Sequence, residues 1–144
     1  MKKSQHTTNY RNALIQVPED CPVQAGEVPS SRGGKPSVAS LQYAMIAGSP
    51  YACTSDDVIF ATSPAGRALD PVAPPALRQQ ARDAFFSKGQ ACMRASPLAK
   101  RYGWGIHADA EARLAIYAME TERYRELAND PAIKQLKAMR SKRV

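Results

Sequence analysis

Between residues 88 and 107 the chain reads KGQACMRASPLAKRYGWGIH, with four cations, Lys88, Arg94, Lys100 and Arg101, and no acidic residue. Tyr102 and the only tryptophan, Trp104, stand beside the last two cations. Aromatic faces interleaved with positive charge are what stacking on bases, combined with contact to their phosphates, requires. Ser96 followed by Pro97 is an N-cap with proline at the first helical position, and a helix starting there would add backbone N–H donors for an anion. Lys88, Arg94, Ser96, Lys100, Arg101, Tyr102 and Trp104 are therefore the candidate ligand-binding residues, for a nucleic acid or another phosphate-bearing partner. The ordinary alternative is a core tryptophan with the cations riding a solvated face.

The same stretch ends at His107, whose imidazole could act as a general base near neutral pH. A histidine on an apolar strand is as readily a core residue with a satisfied ring. Asp56 and Asp57 are adjacent carboxylates suited to acid–base work, but two acids in the first turn of a helix also simply complement its dipole. Cys92 lies between Lys88 and Arg94, the setting of a reactive thiol, and with His107 it would make a nucleophile–base pair. An enzyme built this way would use His107, with Asp56 or Cys92 as partner, on a small substrate roofed by loop 18–36. A third reading is an interaction protein whose apolar sheet face pairs with a second copy as a homodimer.

Other motifs carry less. SSRGGKPS (30–37) lacks the phosphate-loop spacing, and Pro36 removes an N–H such a loop needs. HTTNY (6–10) is β-prone, an edge strand or an arm whose Thr7 and Asn9 could line a pocket. Three cysteines, Cys21, Cys53 and Cys92, form no CxxC pair, and with two histidines no run has zinc-finger spacing. No metal site and no cofactor is expected. An unpaired set of three thiols suits a reducing compartment.

These residues need a fold to position them. At 144 residues, 44% of them hydrophobic and 23% charged, the chain is the size and composition of one globular domain. No apolar run approaches the roughly 18 residues that span a bilayer, and MKKSQHTTNYRN has no apolar signal core. The expectation is a cytoplasmic protein with no membrane partner. A net charge of +7, with cations segregated into 84–107 and 131–144, attracts polyanions.

NALIQV (12–17) reads as a strand stopped by Pro18, and the Pro/Gly-rich 18–36 as a long loop. Ser37 caps a helix with Val38, Leu41 and Met45 near one face. Thr54 and Asp57 make a capping box that carries VIFAT into a helix. SPAGRALDPVAPP (63–75) is breaker-rich and reads as a loop. Residues 76–89 make a helix striped by Leu77, Ala81, Ala84 and Phe85 and ended by Gly89. After a short helix PLAKRY ended by Gly103, residues 104–108 and 113–119 form a hairpin closed by DAEA, which sets His107 opposite Leu114 and Trp104 opposite Tyr117. Thr121 caps a helix, and Asp130 with Pro131 starts a second one whose Ile133, Leu136 and Met139 share a face, ahead of a basic tail, 140–144. The sum is one α+β domain over residues 1–144, a small antiparallel sheet of the N-terminal strand and the hairpin, packed by several helices.

From HTTNY through DCP, TSDDV and RASPLAKRYGWGIH to LKAMRS, the chain resembles a family of small bacterial proteins designated domain of unknown function 6157. The resemblance covers nearly the whole chain and implies a stand-alone bacterial protein. The family has no assigned activity, so the resemblance brings no catalytic residues with it. The insert-like SPAGRALDPVAPP is where the chain is least like that family.

Overall fold

The structure, a computed structural model, describes residues 7–31 and 33–140. Of the basic tail 140–144, only Arg140 lies among them. Four strands form one sheet: β1 (Ala13–Gln16), β2 (Trp104–Ala108), β3 (Leu114–Ala118) and β4 (Lys134–Lys137), in the order β3-β2-β1-β4. β2 runs antiparallel to both β1 and β3, whereas β4 runs parallel to β1. The α+β class stands, but the sheet is mixed rather than purely antiparallel.

β4 replaces the helix expected after Asp130. The Asp130 carboxylate accepts from the Ala132 amide, and its carbonyl from the Ile133 amide, so it closes a tight turn instead of capping a helix. Lys134 N then donates to Asn12 O, and Ala138 N to Gln16 O, along the flank of β1. IKQLKA fits either period. The unsatisfied edge of β1 decides between them, because a buried strand needs ladder partners on both sides. Leu136 and Ala138 face the main core, while Met139 is 54% exposed.

Helix α1 (Val38–Gly48) starts at Ser37, whose Oγ accepts from Ser40 N. Its buried residues are Ala39, Gln42 and Ile46, so the inward stripe is rotated by one residue from the expected Val38, Leu41 and Met45. Helix α2 (Ser55–Thr62) has the full Thr54–Asp57 capping box, and Arg82 closes on Asp57 at 2.7 Å. Burial pushes the Asp57 carboxyl up, but the Thr54 N–H and the Arg82 guanidinium outweigh it and hold the group below its ordinary value. The expected loop 63–75 contains a further helix, α3 (Pro64–Arg67), because Ser63 caps it and Pro64 supplies the favoured first position.

Helix α4 (Pro75–Phe85) ends four residues before Gly89, and no side chain of its expected stripe is fully buried. Leu77 is 48% exposed, and the helix is anchored at its C-terminal end, where Phe85 meets Phe60 and Phe86 edge-on. A 3-10 turn (Met93–Ala95), α5 (Pro97–Lys100) and α6 (Glu122–Ala128) complete the fold.

The hairpin register is one residue from the expected one: His107 pairs with Ala115, and Trp104 with Ala118. The turn holds five residues, 109–113, not four, with Asp109 N donating to Arg113 O and Ala112 in the left-handed region at φ 67°. Trp104, Ile106 and Ala108 face the main core, which includes Ile46, Val58, Met93, Leu98 and Leu114. On the other face α6 lays Tyr124 over Gly105 and receives a hydrogen bond from Val17 N at its hydroxyl. A Cβ at Gly105 would lie 2.3 Å from the Tyr124 ring. Gly105→Ala should therefore cost about 2 kcal/mol of stability by overpacking. Thermal unfolding checks it, and a Tyr124→Leu background should recover part of the loss.

Candidate functional site

Segment 90–97 is the hinge of the site's geometry. Ala95 N donates to Cys92 O and Ser96 N to Met93 O, which folds Met93 into the core. Ser96 is buried, and its Oγ accepts from Leu98 N while donating to Gln42 Oε1 at 2.6 Å. Gln42 Nε2 reaches Thr62 Oγ1, which itself donates to Val58 O. One buried amide thus links α1, α2 and the start of α5.

That amide lines a cleft of about 310 Å³. Its walls are Val38, Ile59, Pro64, Phe85, Met93 and Pro97; its polar lining includes Gln42, Thr62, Ser63 and Ser96. A mostly apolar concavity with a few convergent polar groups is the usual form of a small-molecule site. A second recess, of about 460 Å³, shares the wall Val38, Ala95 and Pro97 and is edged by Lys100, Arg101 and Tyr102. Gln90 and Cys92 also line the 310 Å³ cleft, and they border a third recess of about 260 Å³ formed with residues 7–10. There Tyr10 Oη donates to Cys92 Sγ at 3.3 Å, and this bond, with burial, raises the Tyr10 phenol above its ordinary value.

The family model matches residues 5–144, almost the entire chain. The chain belongs to the family of unknown function DUF6157. No curated protein and no solved structure matches it.

In this DUF6157 fold the expected ligand-binding residues divide. Lys100, Arg101 and Tyr102 come together at the second recess, and Ser96 forms part of the first. Arg94 turns away: its Nε donates to Lys137 O, and its carbonyl accepts from Met139 N, tying the 3-10 turn to the end of β4. Lys88 is exposed after α4, and neither it nor Arg94 lines these three recesses. Trp104 Nε1 donates to Glu27 O, its ring meets Tyr43 edge-on, and Gly26 packs against it. Its indole clamps loop 18–36 to the sheet. At the start of α5, Pro97 has no N–H, Leu98 N is held by the Ser96 hydroxyl and Lys100 N donates to Ser96 O.

The three expected catalytic residues have separate partners. Asp56 accepts from Thr7 Oγ1 and from both the backbone and hydroxyl of Thr8, while Asn9 Oδ1 accepts from its amide; it fastens the N-terminal arm to α2. Cys92 has Tyr10, as above. His107 lies on the α6 side of the sheet, where the Tyr51 hydroxyl bridges its Nδ1 at 2.7 Å and the Tyr117 hydroxyl at 2.8 Å. Tyr51 is in the left-handed region at φ 57°. Burial, then the Tyr117 hydrogen bond, raises its phenol above the ordinary value. Among the described residues no three His, Cys, Asp or Glu side chains could hold a metal ion, and no helix is long and apolar enough to cross a membrane.

Gln42, Thr62 and Tyr51 were not singled out from sequence. The polar residue at the middle of the 39, 42, 46 stripe is the signal that could have found Gln42.

Burial and then the Arg123 charge hold His107 below the ordinary histidine value, against Asp109 and Asp130. A folded state that resists protonation binds fewer protons than the unfolded chain, so its stability falls as pH drops below about 6.5. Melting temperatures from pH 7.5 to 5 should decline over that window, and less so in His107→Gln, which cannot titrate.

Proposed function

We propose that this protein binds a small organic anion with an apolar body, the body in the cleft beside Gln42 and the charged end at Lys100 and Arg101. The observation that carries this reading is the shared wall: Val38, Ala95 and Pro97 line both the apolar cleft and the cation-edged recess. A ligand crossing that wall would bury apolar surface on one side and meet two guanidinium or ammonium donors on the other. Cations attract carboxylate, sulfonate and phosphate alike, with Arg101 able to offer a bidentate fork.

The geometry favours a small ligand over a nucleic acid. Trp104 is committed to Tyr43 and Glu27, and Arg94 to Lys137, so an aromatic and a cation of the expected stacking surface hold the fold together instead. Recognition here rests on a concave site of a few hundred Å³ rather than on an extended groove.

The probe is 8-anilinonaphthalene-1-sulfonate, followed by its emission and displaced by 4-phenylbutanoate. The Lys100→Ala/Arg101→Ala double variant should bind it about tenfold more weakly, equivalent to ~1.4 kcal/mol. Val38→Trp should block binding with little change in melting temperature, because Val38 is 42% exposed. Undiminished binding by both variants would overturn the assignment. Displacement of the probe by single-stranded RNA, with a steep salt dependence, would put a polyanion in its place.

A further inference from the structure

We infer that the bound anion also carries a hydrogen-bond acceptor, a carbonyl oxygen within its apolar body, and that Gln42 reads it. This rests on the cleft being the ligand site. It follows from counting hydrogens.

Each hydroxyl in the polar lining has its hydrogen committed. Thr62 Oγ1 donates to Val58 O at 2.8 Å, Ser63 Oγ to Phe60 O at 2.6 Å, and Ser96 Oγ to Gln42 Oε1 at 2.6 Å. Each oxygen also accepts: Thr62 from Gln42 Nε2, Ser63 from Gly66 N, and Ser96 from Leu98 N. These commitments fix the Gln42 amide. Ser96 has its hydrogen to give, so the amide atom facing it is the oxygen. Thr62 has spent its own, so the atom facing it is the nitrogen.

A primary amide nitrogen carries two hydrogens. One goes to Thr62, over a long 3.4 Å, and among the described residues no acceptor takes the other. Gln42 is 5% exposed, so this donor is buried, and it lines the apolar cleft one helical turn along from Val38 on the shared wall. A donor in such a place contributes most when an acceptor meets it and penalises an apolar group put in the acceptor's stead. The chemistry recognised is thus a carboxylate, or a similar anion, joined through an apolar body to a ketone or other carbonyl.

Two acids of nearly the same shape test it: 3-benzoylpropanoate, which has a ketone between ring and carboxylate, and 4-phenylbutanoate, which has a methylene there. Calorimetric titration of the wild-type chain should show the keto acid binding about tenfold more tightly. In Gln42→Met, similar in length but without the amide, the two affinities should converge. Equal wild-type affinities would overturn the role of Gln42 while leaving the cleft as the site. Binding of neither acid would overturn both. Retention of the keto-acid preference in Gln42→Met would place its recognition on another group and so overturn the inference. If Gln42→Met fails to fold, Ser96→Ala supplies the second variant. Freed from the Ser96 hydroxyl, the amide can turn, and the preference should shrink; an unchanged ratio would count against Gln42.

Discussion

Gln42 ties together elements that share no strand pairing. Its oxygen is held by Ser96 ahead of α5 and its nitrogen by Thr62 at the end of α2, so the spacing of α1, α2 and α5 is set through one side chain. In an apolar interior such a link is strong when complete and costly when broken, because whichever group loses its partner stays buried. Ile46, Val58 and Leu98 pack these three elements together in the core, and beside that packing the Gln42 amide lines the cleft. The rest of the site follows from that spacing: Val38 and Pro97 form one wall, and the cations at the end of α5 flank the neighbouring recess.

The sheet supplies the rigid backing. Alternation along β2 sends Trp104, Ile106 and Ala108 to the helices α1, α2 and α5, and Gly105 and His107 to α6. Leu14 of β1, fully buried, is out of phase with Ile15 and belongs to the α6 side with Leu127, which is also buried. Both faces are therefore covered, and the two carry different chemistry. The α1 side holds the clefts. The α6 side holds the Tyr51–His107–Tyr117 chain, with Tyr51 drawn over the sheet by the pairing of its amide with Leu114 O.

Local chemistry was legible in the sequence and long-range chemistry was not. The caps Ser37, Thr54, Ser96 and Thr121 were all readable, because each acts on an amide two or three residues away. The hairpin was readable to within one residue; the error lay in Ala112, whose left-handed backbone lengthens the turn without any glycine to announce it. β4 was hidden because IKQLKA satisfies two periods, and only its parallel partner selects one. Of the cation-rich stretch, Lys100, Arg101 and Tyr102 do gather at a recess. The side chains of Arg94 and Trp104 each engage a backbone carbonyl from a distant strand or loop, a partner that their local sequence does not announce.

The parallel pairing of β1 with β4 also governs how the chain must reach its native state. Gln16 and Gln135 touch across 119 residues of sequence. Until the last strand is in place, β1 has only β2 beside it, and that strand too lies far along the chain. Both described partners of β1 are distant in sequence, so the loop-closure entropy is met late and nearly all at once. On a ribosome, the apolar Ala13–Leu14–Ile15 run would emerge long before its neighbours and stay uncovered until residues 104–108 and 134–137 have been made. The short strand and the proline that follows it limit how far such an uncovered edge can recruit other chains.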